Sequence, residues 1–264
     1  MPPTTHSTIS ANVLFHFTRS KENLIGILES AFLPRYAMEN QNIVEPEIPE
    51  RHIAIPMVSF CDIPLSQVRD HVEHYGEYAL GLTKNWAKSH GIAPVLYAYP
   101  DALTTRAIST MFLNLPPAIQ AQKLRGLAET QRNLTYFSFF IKRYEGKTYR
   151  DGQYSRETVR FYNEREWRYL PPIQTLLQGD ANAFLPKTAF DEIGMREVEN
   201  HIIGEAAPLS FQPKFIRYVI VRSETEILEI ADAILRIKGP NFAYDEVRKL
   251  TTRIITMEQV LSDF

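Results

Sequence analysis

Strand signals recur along this chain at uneven intervals, and their order constrains the fold more than any other feature. Asn12-Val-Leu-Phe-His-Phe-Thr18 is a run of β-branched and aromatic residues that predicts a strand. Ser20 follows as an N-cap, with Leu24, Ile27 and Leu28 at helical spacing behind it. Ala31 to Tyr36 reads as extended, broken at Pro34, and Glu39 to Arg51 as a polar loop with two prolines. Ile53 to Cys61 is apolar and strand-like, with Pro56 marking an edge or a bulge. Pro64 to Tyr75 predicts a short helix with proline at its first turn. Tyr78 to Thr83 and Pro94 to Tyr99 are short strands on either side of a helix around Trp86.

Ala, Leu and Gln dominate after Asp101, and a helical insertion is expected at about 101–150, divided by Leu115-Pro116-Pro117. Strand signals resume from Val159 to Leu170. Gln174 to Asn200 reads as loop and short helix. Ile216 to Val221 is a strand, Glu224 to Ile237 a helix, Arg253 to Thr256 a strand and Met257 to Phe264 a closing helix. This order lacks regular βαβ units and predicts a single α+β domain over residues 1–264.

With 44% hydrophobic and 23% charged residues and a net charge of −2, the average composition calls for neither nucleic acid nor membrane. One cysteine excludes an internal disulfide framework and suits a reducing compartment. MPPTTHSTIS lacks the basic start and apolar run of a signal peptide, and no apolar run reaches the length of a membrane span. The expectation is a soluble cytoplasmic protein without a membrane partner. Charge is uneven, however. Ala121 to Arg168 holds 11 Lys or Arg against 6 Asp or Glu. Its aromatic-rich core, TYFSFFIKRYEGKTYR, is read two ways. Lys142 and Arg143 contact nucleic acid along the basic stretch, or the segment is a helix with a solvated charged face.

No Gly-rich phosphate loop, Gly-x-Ser-x-Gly elbow or Cys-x-x-Cys pair is present. His71-Val-Glu73-His74, near Cys61, is one residue short of the His-x-x-Glu-His zinc pattern, and no metal is expected. Two features remain. In NEREWRY, Asn163 to Tyr169, strand alternation sets Glu164, Glu166 and Arg168 on one face and Arg165, Trp167 and Tyr169 on the other. The plain reading is an amphipathic strand with cross-strand ion pairs. The sharper one is a cleft-lining Glu-x-Glu pair, one carboxylate orienting a substrate and the other stabilising developing positive charge. In Phe15-His16-Phe17-Thr18, the same alternation places the polar pair opposite the two aromatics.

Phe15-His16-Phe17-Thr18, Ile27-Leu28, Ser59-Phe60-Cys61-Asp62-Ile63-Pro64-Leu65-Ser66, His74-Tyr75-Gly76 and Glu166-Trp167-Arg168-Tyr169 together resemble the AbiGi family of abortive phage-resistance proteins. The likeness covers most of the chain. It implies a role in bacterial phage defence of the toxin–antitoxin type, with a partner toxin or antitoxin. The order of a strand His-x-Thr, a helix, a strand with a Ser and a late strand Glu is also similar to ADP-ribosyltransferases. That resemblance implies a split, ADP-ribosyltransferase-like mixed sheet with flanking helices, and NAD as substrate. His16, Thr18 and Ser59 would then hold NAD, and Glu166 would be the catalytic acid with Glu164 beside it. Arg35 would serve the pyrophosphate. Tyr36, Phe60 and Tyr75 each compete for the stacking role on nicotinamide. The leading expectation is an NAD-using ADP-ribosyltransferase-like defence protein. The rival is a non-catalytic, antitoxin-like protein that neutralises a toxin by binding it.

Overall fold

The computed structural model describes residues 10–43, 52–113, 124–125, 127–150 and 152–264. From the N-terminus, β1 (Val13–Thr18) leads through α1 (Lys21–Glu29) to β2 (Arg35–Asn40) and the long β3 (His52–Cys61). Next come α2 (Arg69–Tyr75), β4 (Tyr78–Thr83) and α3 (Lys84–Ser89). Two short strands, β5 (Ala93–Pro94) and β6 (Leu96–Ala98), precede α4 (Leu103–Leu113) and α5 (Glu129–Ser138). The chain is extended again in β7 (Ile141–Arg143), β8 (Tyr149–Arg150), β9 (Gln153–Tyr154) and β10 (Glu166–Tyr169). There follow α6 (Ile173–Gln178), β11 (Leu185–Pro186), α7 (Lys187–Asp191) and α8 (Ile193–Ala206). β12 (Ile216–Val221), α9 (Ile227–Lys238), α10 (Tyr244–Thr251), β13 (Ile254–Thr256) and α11 (Met257–Asp263) complete it. The architecture is α+β, a large mixed sheet with flanking helices.

These elements fall into two compact units. The first comprises residues 1–32, 59–92 and 210–264, the second 33–58 and 93–209. β3 contributes to both, through residues 59–61 and 52–58 respectively.

In the first unit the strand order is β13-β12-β4-β1, with the last residues of β3 beside β1. β1 pairs antiparallel along its length with β4, and Phe15 faces Cys61 of β3. β12 and β13 are the parallel members. Phe15, Phe17, Cys61, Val72, Ile220 and Met257 form one core cluster. The expected N-cap is present: Ser20 accepts a hydrogen bond from the Asn23 N–H at 3.2 Å. Leu24 and Leu28 of α1 are fully buried, each contributing about 1.5–3 kcal/mol by transfer from water.

The second unit is built on β3, flanked by β2 and β11; both pair with Ala54, on its two sides. Pro56 lies opposite Tyr36 of β2 in an unbroken register, and β3 has strand neighbours on both sides, so the expected edge or bulge is corrected. Tyr36, Ile55, Phe139, Leu170, Leu176, Phe184 and Ile203 make its core. β10 pairs antiparallel with β5, and β6 parallel with β7.

The insertion expected over 101–150 is helical only in part. It is helix from Leu103 through Leu113 and from Glu129 to Ser138, and then strand from Ile141, where the buried Ile141 and Lys142 pair with Leu96 and Tyr97 of β6. Its expected break at Leu115-Pro116-Pro117 lies outside the described residues, as does the polar loop from Val44 on. The segment read as loop and short helix up to Asn200 instead contains most of α8. Ile193, Met195 and Val198 of that helix are exposed, so no apolar stripe announces it.

Gly76 ends α2 with φ of +106°, and a Cβ there would stand 2.4 Å from the Thr18 carbonyl oxygen. Gly91 has φ of +70° but open space around it. Gly76→Ala is therefore expected to cost about 3 kcal/mol, strain plus overlap, and Gly91→Ala about 1 kcal/mol from strain alone. Urea unfolding of the two variants measures this, and equal losses would show that the close approach to Thr18 is no constraint.

Candidate functional site

NEREWRY is not one strand. Phe161 to Glu164 form a 3-10 turn, and Arg165 stands in the left-handed region at φ 44°, ψ 50°. Only from Glu166 does the chain become β10. The expected grouping survives the break, since Glu164, Glu166 and Arg168 turn toward one cluster, but their face is the buried one: Glu166, Arg168 and Tyr169 are buried, whereas Trp167 is half-exposed. The charged residues, not the tryptophan, point inward.

They point into a cluster of ions within the second unit. The Arg168 guanidinium is fully buried. Its Nε donates to Glu166 Oε1 at 2.7 Å and its Nη2 to Glu166 Oε2 at 3.1 Å, a two-point contact. Nη2 also reaches Glu39 Oε1 at 2.6 Å, and Nη1 donates to the Phe139 carbonyl at 2.7 Å. Lys142 Nζ lies 2.7 Å from Glu166 Oε2, 2.8 Å from Glu164 Oε2 and 3.9 Å from Glu39 Oε1. Its ammonium also stands 4.7 Å from the centre of the Phe161 ring. The Tyr97 hydroxyl accepts the Glu166 backbone N–H at 2.8 Å.

Three carboxylates thus face two cations, and the titration behaviour follows. Burial opposes ionisation of Glu166, but Arg168 and Lys142 outweigh it and hold this carboxyl far below its ordinary range. Burial also works against the charge on Lys142, yet Glu164, Glu166 and Glu39 keep it well above the ordinary lysine value. Glu39 goes the other way. Burial, reinforced by the two neighbouring carboxylates, raises it despite Arg168 and Lys142. Sequence patterns missed Glu39 and Tyr97. Glu39 opens a stretch whose composition predicts a polar loop, and its partner Arg168 is 129 positions away.

In the first unit, β1 shows the expected alternation: Phe15 and Phe17 are buried, His16 and Thr18 half-exposed. His16 Nδ1 donates to the Ser59 carbonyl at 2.8 Å, and its ring packs edge-on to Phe32 and Phe60 at 5.1 and 5.7 Å. Burial lowers its pKa, so the ring is neutral at pH 7. Tyr75 stacks on His71 at 4.3 Å. Among the described residues no group of three or more His, Cys, Asp or Glu is placed to hold a metal ion.

The site residues anticipated from sequence therefore divide. His16, Thr18, Ser59 and Tyr75 belong to the first unit, and Arg35, Lys142, Arg143, Glu164 and Glu166 to the second. Arg35 is exposed and pairs with Glu197 at 2.7 Å. Lys142 is buried among carboxylates and offers no charge to a phosphate backbone, which corrects its assignment as a nucleic-acid contact. Arg143 donates to the side-chain oxygen of Asn42. No helix among the described residues is long and apolar enough to cross a membrane.

Removing one member of a buried ion set leaves the others uncompensated. Arg168→Met is expected to lower stability by about 3–5 kcal/mol, read by denaturant unfolding; a loss below about 1 kcal/mol would mean that Glu166 and Glu39 find other partners. A second expectation concerns pH. Glu166, depressed in the fold, contributes stability above its unfolded pKa that is lost as pH falls through the folded one. Glu39, raised in the fold, contributes fully below its unfolded pKa and loses that contribution as pH rises through the folded one. Glu39→Gln keeps an oxygen for Arg168 but cannot ionise. Its stability relative to the parent should improve as pH rises above the ordinary value of 4.5, and melting curves at several pH values check the sign.

Over residues 30–222 the chain matches the family described as "Putative abortive phage resistance protein AbiGi, antitoxin". It is 27% identical over 254 residues to a protein of Lactococcus lactis subsp. cremoris named "Abortive phage resistance protein AbiGi", an alignment covering 89% of this chain and 100% of that one. No solved structure matches the chain.

Proposed function

The chain belongs to the AbiGi family of abortive phage-resistance proteins, and we propose that within this defence it acts as a non-catalytic, antitoxin-type protein that neutralises a partner toxin by binding it. The observation that supports this reading is the state of Glu166. Both of its carboxylate oxygens are held by Arg168 and Lys142 in a buried set. A carboxylate that assists a reaction must meet charge that develops only in the transition state. One already neutralised by two fixed cations has little left to give. The family description, which carries the word antitoxin, agrees with it.

The NAD-using reading keeps one observation in its favour. His16 and Thr18 share a half-exposed face of β1, and the Ser59 carbonyl fixes the tautomer of His16. Glu166 does not fit the catalytic part of that reading in this arrangement, because freeing it would strand Arg168 and Lys142 as buried charges. Arg35, paired on the surface with Glu197, adds no support for a pyrophosphate site.

Expression alone and together with a candidate partner toxin separates the two readings. The expected result is harmless expression with unchanged cellular NAD, and relief of the growth arrest that toxin causes. Loss of NAD that falls by about 100-fold in Glu166→Gln, in a variant that melts like the parent, would overturn the antitoxin reading.

A further inference from the structure

A cavity of about 520 Å³ opens in the second unit, lined by Asn42, Thr105, Arg106, Ser109, Thr110 and Arg143 among others. We propose that it binds a nucleotide, its phosphate on the two arginines and its base on the tyrosines beside them. The volume falls within the range of ordinary small-molecule sites. Two guanidiniums line it, and among the described residues no Asp or Glu does. Among the described residues Arg143 donates to neutral oxygens, the Asn42 amide and the Glu145 carbonyl. Arg106, exposed on α4, has no ion-pair partner among the described residues. Among the described residues neither charge is compensated, in contrast to Lys142, which precedes Arg143 in the chain.

The hydroxyls of the lining indicate the sign of the ligand. Thr105 donates to the Tyr99 carbonyl, Ser109 shares its one proton between the Thr105 and Ile43 carbonyls, and Thr110 donates to the Arg106 carbonyl. Their protons are committed to main chain, so the donors left for a ligand among the described side chains are the two arginines and the Asn42 amide nitrogen. Two uncompensated guanidiniums favour an oxyanion, whose planar-fork partners are phosphate and carboxylate; the neighbouring aromatic rings favour the phosphate of a nucleotide.

The aromatic part comes from the ends of the parallel pair β6 and β7. Their last residues, Ala98 and Arg143, are in register, and the Tyr144 N–H donates to the Ala98 carbonyl at 2.9 Å. Tyr99 and Tyr144 therefore leave the two strands side by side, next to Arg143. Their rings are 6.1 Å apart, and Tyr144 stacks on Tyr162 at 5.4 Å. Tyr99 is 51% and Tyr162 50% exposed, so the platform faces solvent. Arg160 stands over Tyr144 at 5.8 Å. Adjacent guanidiniums and exposed aromatic rings are the elements that hold nucleotides in single-strand binding proteins. This inference does not depend on the antitoxin reading.

The test uses the full chain at low salt with three probes: inorganic phosphate, adenosine monophosphate and a labelled single strand of about ten nucleotides. Nucleotide binding tighter than that of inorganic phosphate is expected. Arg106→Gln should weaken it by about 10-fold or more at unchanged Tm, because the side chain is exposed. Tyr99→Leu should weaken the nucleotide and spare inorganic phosphate. If the single strand binds more tightly than the monomer, the ligand is a strand, and Arg106→Gln should reduce its salt slope by about 0.7. If the monomer binds as well, the ligand is the free nucleotide. No binding of nucleotide or strand, affinities indifferent to Arg106→Gln, or phosphate held as tightly as nucleotide would each overturn the proposal.

Discussion

Arg168 carries a charge with no access to water, and much of the second unit is arranged around that fact. Removing a guanidinium from water costs several kcal/mol, which only close and numerous partners offset. Glu166 supplies two contacts from the same strand, Glu39 one from β2, and the Phe139 carbonyl one from just beyond α5. Lys142 of β7 then compensates the surplus carboxylates. What the set provides is register. A one-residue slip of β2 would turn Glu39 to the opposite face of its strand and leave Arg168 short of a partner. Apolar contacts in this unit tolerate exchange of similar shapes far better than such a slip.

The same geometry explains why the segment resembles a reaction centre. Closely spaced carboxylates beside an arginine are what a site handling positive charge needs, and also what a buried ion set needs. The difference lies in whether cations already occupy the carboxylates. Here they come from Lys142, on another strand, and from Arg168 itself. Lone residue patterns carry no information about that occupancy.

Much of the fold was nonetheless legible. β1, the Ser20 cap, α1, β4, β12, β13 and α11 follow from β-branched runs, cap chemistry and helical spacing, because in the first unit local preference and burial agree. Legibility failed where tertiary contacts override local pattern. Pro56 enters an internal strand, α8 exposes its own apolar residues, and the face carrying Glu164, Glu166 and Arg168 turns inward because Lys142 and Glu39 meet it from other strands. Of the candidate site, the importance of Glu164 and Glu166 could be read from their spacing, and the His16–Thr18 face from β1. The contribution of Glu39 could not, since nothing local ties it to Arg168.

Cys61 is the sole cysteine of the chain. It is 3% exposed, opposite Phe15 at the junction of β1 and β3. A thiol in that position reacts with an alkylating reagent only while these strands are apart. Its labelling rate is therefore a clock built into the native sequence, one that times the spontaneous opening of the first unit without any added probe. Because β3 runs on into the second unit, the same thiol will show whether changes there, such as loss of the Arg168 ion set, are felt at the far end of that strand.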